Sequence, residues 1–240
     1  MSIVTLVDDG AALLSMRNSD FDAYSAIGEV IDNSIQAQAK NISIEIKYSP
    51  STTQTGIEPI TSILFGDDGD GMSKHILHRC LQLGYSSRYN DRSGIGRFGV
   101  GVTLGAINQC KRIELYSKEK GSDWQYTFID LDLITKRPPE MTEIPQPEPK
   151  AVPTEYQHLI GKESGTLVIW SKCDRQQVSA SMLIDELRIW VGRTYRKFIW
   201  DGVKVAINGT TTKAIDPLYV TVKESQFPDD PVAHEYKEMS

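Results

Sequence analysis

The sequence predicts an α+β fold, a two-layer sandwich of helices on a mixed, mainly antiparallel sheet. Three observations lead there. Helical and extended patterns are interleaved without the regular alternation that a doubly wound parallel sheet requires. Antiparallel-looking strand pairs stand among the helices. The chain has 240 residues, 40% of them hydrophobic, enough for a sizeable core without disulfide or metal staples.

Taken in order, residues 1–20 admit a short strand at Ile3–Val7 and a helix at Ala11–Arg17. A helix is expected over Phe21–Ala39, with Asp20 as N-cap. In Asn41–Tyr48, Ile42, Ile44, Ile46 and Tyr48 alternate with polar residues, the period of a half-buried strand. The polar loop Ser49–Glu58 leads to the apolar strand Ile60–Phe65, which stops at a Gly-Asp run. Ser73 can cap a helix over Lys74–Leu83. Gly84–Gly101 reads as a glycine- and serine-punctuated loop, after which helical character continues to Gln109.

Six prolines between Lys136 and Pro153 predict an extended surface loop after the strands Arg112–Lys118 and Trp124–Leu133. A strand at Gly165–Ser171, a helix at Ser179–Ile199, a strand at Lys204–Asn208 and an Asn-Gly turn complete the pattern.

Composition excludes several classes. Cys80, Cys110 and Cys173 have no CxxC spacing, against a disulfide framework or a zinc ribbon. The start lacks the basic flank and apolar run of a signal peptide. No stretch reaches the roughly 18 apolar residues of a membrane span. A net charge of −6 gives no global attraction to nucleic acid or anionic lipid. A cytoplasmic protein is expected, or a nuclear one in a eukaryote.

Three constellations carry chemistry. On the first long helix, Glu29, Asp32, Asn33 and Gln36 fall within an arc of roughly 100°, opposite Tyr24, Ile27, Val30, Ile31 and Ile35. An ordinary amphipathic helix shows the same division. This polar face, however, has no Lys or Arg in its middle. It could hold a divalent cation through oxygen atoms and leave one carboxylate free as a base.

The second constellation is Asp67-Asp68-Gly69-Asp70-Gly71-Met72 at a strand end. An aspartate held there can accept a hydrogen bond from a planar donor such as an exocyclic amine, while glycines let the backbone approach a ligand. A tight acidic turn is the competing account. A calcium loop is excluded by the short run and the missing twelfth-position glutamate.

The third is the loop Ser93–Gly101 before a helix, whose bare N–H groups suit an anion. Gly94, Gly96 and Gly99 satisfy GxGxxG formally, but the preceding Tyr85–Ser93 is polar loop rather than the strand a dinucleotide fingerprint needs. No Gly-Lys-Ser/Thr follows, so a Walker A loop is excluded as well.

In this order, E-x-x-D-N on a helix, D-x-G-x-G at a strand end and G-x-x-G-x-G before a helix resemble the GHKL ATPase superfamily. That group contains gyrase, heat-shock-ninety chaperones, histidine kinases and MutL. Gly165-Thr166 looks like a fourth element, and the resemblance covers most of residues 20–210. The segments Cys80–Arg88, Ile95–Gly101 and Ile107–Lys118 look most like MORC-type and heat-shock-ninety-like ATPases. The resemblance implies the Bergerat fold, with ATP and Mg²⁺ held between helices and sheet.

It further implies a role for each matching residue. Asn33 would bind Mg²⁺, and Glu29 would polarise the attacking water. Asp67 would accept the adenine amino group with support from Thr166, and Gly69 and Gly71 would shape the adenine loop. Met72 and Ile95 could line the adenine pocket, though core packing accounts for them too. Residues Tyr85 to Gly101 would form a lid that binds the nucleotide through Gly96, Arg97, Phe98, Gly99, Val100 and Gly101, the N–H groups of Phe98 to Gly101 cradling the phosphates. Asp32 is expected to be structural, and Gln36 to stand behind the site. Ser87, Arg88 and Arg97 could touch phosphate or simply be solvated.

Three functions follow: an ATP hydrolase whose lid closure drives a conformational or dimerisation switch, an ATP-gated interaction module, and a histidine kinase. The glutamate base for water and the absence of a phosphoacceptor helix count against the kinase. ATP or ADP and a second copy of the chain are the expected partners, with no membrane. Residues 1–20 read as an N-terminal segment, 21–210 as the ATP-binding domain, and 211–240 as a tail or the start of a transducer domain not included. Lys204 near the domain's end and Lys213 and Lys223 in the tail are available, but none fits the basic residue that such a domain supplies. Arg188, Arg193, Arg196 and Lys197 give a solvated basic helix face or a partner surface.

Overall fold

The computed structural model describes residues 9–18, 22–51, 57–83, 101–134 and 143–216. Its described elements run α1 (Asp9–Met16), α2 (Ala23–Gln36), β1 (Asn41–Tyr48), β2 (Ile60–Asp67), α3 (Lys74–Arg79), α4 (Gly101–Gln109), β3 (Cys110–Lys118) and β4 (Gln125–Asp130). They continue with α5 (Leu131–Ile134), β5 (Glu148–Pro149), a 3-10 segment (Thr154–Leu159), β6 (Gly165–Cys173), α6 (Ala180–Thr194), α7 (Arg196–Trp200), β7 (Lys204–Ile207) and β8 (Thr210–Thr211). The strands form one sheet in the order β5-β4-β3-β6-β2-β1-β7-β8. Every described pairing is antiparallel except β1 with β7.

Period-two alternation decides which side chains meet the helices. Ile42, Ile44 and Ile46 of β1, Ile63 and Phe65 of β2, and Ile113 and Trp170 face one core with Ile27, Ile31, Ile107 and Leu187 from the helices. Each large apolar side chain buried this way contributes roughly 1.5–3 kcal/mol. Gly105 of α4 lets that helix close on α2, since a Cβ there would stand 3.1 Å from Ala26 Cα. The reverse face is also covered. Leu64, Tyr116, Tyr126, Leu167 and Ile169 pack there with Val152 and Leu159. Of the proline-rich stretch, residues 136–142 lie outside the described residues, and the described part caps the sheet through Val152 and pairs with β4 at Glu148–Pro149.

Several boundaries differ from the sequence expectation. Helix α2 is capped by Asp22, whose carboxylate accepts from Ser25 N at 2.7 Å, and not by Asp20, which lies outside the described residues. The helix stops at Gln36 because Gln38 adopts φ 63°. Gln38 N then donates to Ile35 O and Ala39 N to Ser34 O, a Schellman closure. Strand β4 breaks at Asp130, which accepts from Asp132 N while pairing with Arg112 and Lys172. The predicted helix Ser179–Ile199 is two helices, broken at Tyr195 (φ −99°, ψ 14°). Ser73 and Ser179 are N-caps, and Asn208 (φ 47°) and Gly209 (φ 75°) make the two-residue turn between β7 and β8.

The predicted strand Ile3–Val7 lies outside the described residues, whereas the N-terminal helix is present as α1. It is tied down just beyond its end by Arg17, 7% exposed, which donates to Ile107 O and pairs with Asp174. Asn108 and Arg175 donate back to Arg17 O. Arg17→Ala is expected to lower stability by roughly 2–3 kcal/mol, below the full cost of a broken buried pair because Asp174 keeps some water. Denaturant unfolding measures it. No helix among the described residues is long and apolar enough to cross a membrane.

Candidate functional site

Helix α2, the end of β2 and the start of β6 converge on one carboxylate. Asp67 is 6% exposed at the C-terminal end of β2. Its Oδ1 accepts from Gly69 N at 3.0 Å and Thr166 N at 3.1 Å, and its Oδ2 accepts from the Ser34 hydroxyl at 2.9 Å. Burial raises its pKa, and the Gly69, Ser34 and Thr166 donors oppose that rise. A buried carboxylate is costly unless hydrogen-bonded. Here that cost is met by uncharged donors rather than by an ion pair.

A second polar layer backs the first. Ser117 Oγ lies 3.0 Å from Thr166 Oγ1 and 3.3 Å from Gly165 O, to which it donates, and it accepts from Met72 N at 2.9 Å. Ser34 and Ser117 were not marked by the sequence motifs, because nothing in a serine's neighbours reveals a hydrogen bond across 33 or 49 residues.

The acidic turn divides its labour. Asp67 points inward, whereas Asp68 accepts from Lys40 N, Asn41 N and Asn41 Nδ2 and ties the turn to the start of β1. Burial acts to raise the Asp68 pKa, but these donors outweigh it and leave it lowered. Asp70 N donates to Ala37 O at 2.8 Å, so the turn seats directly on the end of α2. Gly69 is required by that seat: a Cβ would come within 2.7 Å of Ala37 O.

Gly71 has φ 75°, and a Cβ there would lie 2.0 Å from Lys118 O. Gly71→Ala is expected to cost roughly 2 kcal/mol or more, since strain and a backbone clash add. A urea midpoint shifted to lower concentration is the expected result.

The polar face of α2 is present as read. Glu29 and Asp32 are half-buried, Asn33 is exposed, and the Nε2 atom of half-buried Gln36 is out of solvent with no hydrogen-bond partner. Burial, reinforced by the charge of Asp32, raises the Glu29 pKa. Burial also raises that of Asp32, against a hydrogen bond from Tyr195. Among the described residues no three His, Cys, Asp or Glu side chains converge as a metal cage. His78 instead contacts Ile144 O at 3.0 Å. The exposed side-chain amide of Asn33 offers an oxygen that would fit a hard cation taking its other ligands from phosphate and water.

Gly101 opens α4, while Gly96, Arg97, Phe98, Gly99 and Val100, with Ser87, Arg88 and Ile95, lie outside the described residues. A cavity of about 80 Å³ lies at the other end of β2, lined by Tyr24, Ile27, Ile60, Trp170 and Leu183 among others, and is not part of this site.

Comparison with known proteins places the same residues in context. Residues 21–166 match the family described as "Histidine kinase-, DNA gyrase B-, and HSP90-like ATPase". The chain is 33% identical over 137 residues to Protein MICRORCHIDIA 2 of Arabidopsis thaliana, a match covering 48% of this chain and 21% of that protein. It is 34% identical over 103 residues to the DNA mismatch repair protein MutL of Buchnera aphidicola subsp. Schizaphis graminum, covering 41% of this chain and 16% of that one. Among solved structures, the ATPase and transducer domains of DNA topoisomerase II from Balamuthia mandrillaris superpose with a TM-score of 0.52 at 16% identity. That superposition covers 80% of this chain and 48% of the other, and shows a shared fold.

Proposed function

The chain belongs to the histidine kinase-, DNA gyrase B- and HSP90-like ATPase family, and from that premise we propose that it binds ATP with Mg²⁺ and hydrolyses it slowly. The observation that carries the reading is Asp67, a buried carboxylate fixed by neutral donors at the foot of α2. Its free acceptor capacity suits an adenine amino group, with Gly69, Gly71 and Met72 shaping the approach and Thr166 steadying the carboxylate.

At the other end of the site, Glu29 is the general base. Its half-burial and its raised pKa make it a better proton acceptor than a solvated glutamate. Asn33 supplies an amide oxygen to Mg²⁺, which when bound neutralises charge on the phosphates. Water attacks the γ-phosphorus, its proton passes to Glu29, and the bond to the β–γ bridging oxygen breaks to leave ADP. By family resemblance, the N–H groups of Phe98 to Gly101 would receive the phosphates. ATP binding and the pairing of two copies would turn this slow chemistry into a conformational switch.

Calorimetry with a non-hydrolysable ATP analogue tests the binding claim. Saturable heat that weakens when EDTA removes Mg²⁺ is expected. No binding with or without Mg²⁺ would overturn the proposal.

A further inference from the structure

Beyond the motif residues, one group reaches the site from outside the family-matched segment 21–166. Tyr195, at the break between α6 and α7, is 3% exposed, and its ring stands edge-on to Trp190 at 5.8 Å. Its hydroxyl lies 2.9 Å from Asp32 Oδ1 and 3.1 Å from Gly28 O. These two partners bracket Glu29: Gly28 precedes it in sequence, and Asp32 lies on the same helix face nearly one turn later.

The contact belongs to a series. Glu186 accepts from the Tyr24 hydroxyl, the Trp190 ring fills the space where a Cβ on Gly28 would stand (2.8 Å), and Tyr195 reaches Asp32. Positions 24, 28 and 32 of α2 are thus gripped in turn by positions 186, 190 and 195. A phenylalanine at this position would fill the same core volume. The hydroxyl adds directionality, because its single proton is shared between a carboxylate and a helix carbonyl on the turn that carries Glu29.

We propose that Tyr195 is a positioning residue for Glu29, its hydroxyl fixing the Gly28–Asp32 turn so that the Glu29 carboxylate keeps its aim at the attacking water. This rests on the reading of Glu29 as the base. The hydroxyl's hydrogen bonds go to Asp32 and the Gly28 carbonyl. It acts by holding Asp32 in one rotamer and the Gly28 carbonyl in one direction, which limits the rotation available to the side chain between them. Small misplacements of a catalytic group cost large factors in rate, while ground-state binding is untouched.

The test is Tyr195→Phe in the full chain. Phosphate-release turnover is expected to fall about tenfold, with KM and the affinity for the ATP analogue within about twofold of wild type. Phe198→Leu serves as the packing control, since Phe198 lies against the same ring at 6.4 Å. It should lower the melting temperature and leave turnover in place. Tyr195→Phe turnover within twofold of wild type would overturn the positioning role alone. Turnover and affinity falling together, in both variants alike, would reduce Tyr195 to a packing residue and overturn it as well. Wild type that releases no phosphate above Glu29→Ala overturns this role together with the hydrolase reading.

Discussion

Asp67→Asn is expected to lower ATP affinity at least about 100-fold, equivalent to roughly 3 kcal/mol, and to leave the fold intact. The reasons lie in the donor count. The carbonyl oxygen of the introduced amide can keep the Gly69 and Thr166 N–H groups, which now hold Oδ1. The amide nitrogen then takes the place of Oδ2, and Ser34 can turn its proton to Val30 O, already 3.3 Å away, and accept instead. Each buried group that Asp67 now pairs stays paired. What changes is the face presented to the nucleotide, because an N–H donor now meets the donor amino group of adenine. Sites built around one hydrogen bond reject a mismatched group strongly, since the partner is left unpaired in a dry place. Calorimetry with the ATP analogue reads the loss, and circular dichroism checks the fold. Unchanged affinity would remove the adenine assignment.

The second large effect is on turnover. Glu29→Ala is expected to abolish multiple-turnover phosphate release while ATP-analogue affinity stays within a few-fold of wild type. Glu29 sits on the polar side of α2 and is only half-buried, so its removal leaves no hole in the core. It also removes a carboxylate beside Asp32, whose charge helps raise the Glu29 pKa. Stability should therefore hold or rise slightly. Wild-type release no greater than that of the variant would sink the hydrolase reading and leave an ATP-gated interaction module. Together the two variants separate holding the nucleotide from cutting it.

Local chemistry was legible where one element held the whole signal. The grouping of Glu29, Asp32, Asn33 and Gln36 needs only the helical period, and the isoleucine alternation of β1 needs only the strand period. Ser73 announces its cap within three residues. Legibility failed where two adjacent solutions satisfy the same rule. Asp20 and Asp22 are both good caps, and only the built chain chooses Asp22. It failed again where the deciding contact is remote. Nothing near Tyr195 says that its hydroxyl meets Asp32, 163 residues away, nor that the helix must break there to bring it round. Asp130 reads as one more strand residue until Arg112 and Lys172 close on it. The strand order, with β6 between β3 and β2, was likewise beyond any local pattern.

The hydrogen bond from Ser34 to Asp67 has a metrical consequence. Ser34 and Glu29 ride on the same unbroken helix, five residues apart, so about 7.5 Å of rod separates them at 1.5 Å per residue. The groups proposed to receive the two ends of the nucleotide are therefore mounted like the jaws of a fixed caliper. Under the proposed function, the axial spacing between the adenine end and the water-activating end is set by the backbone of α2 rather than by a loop.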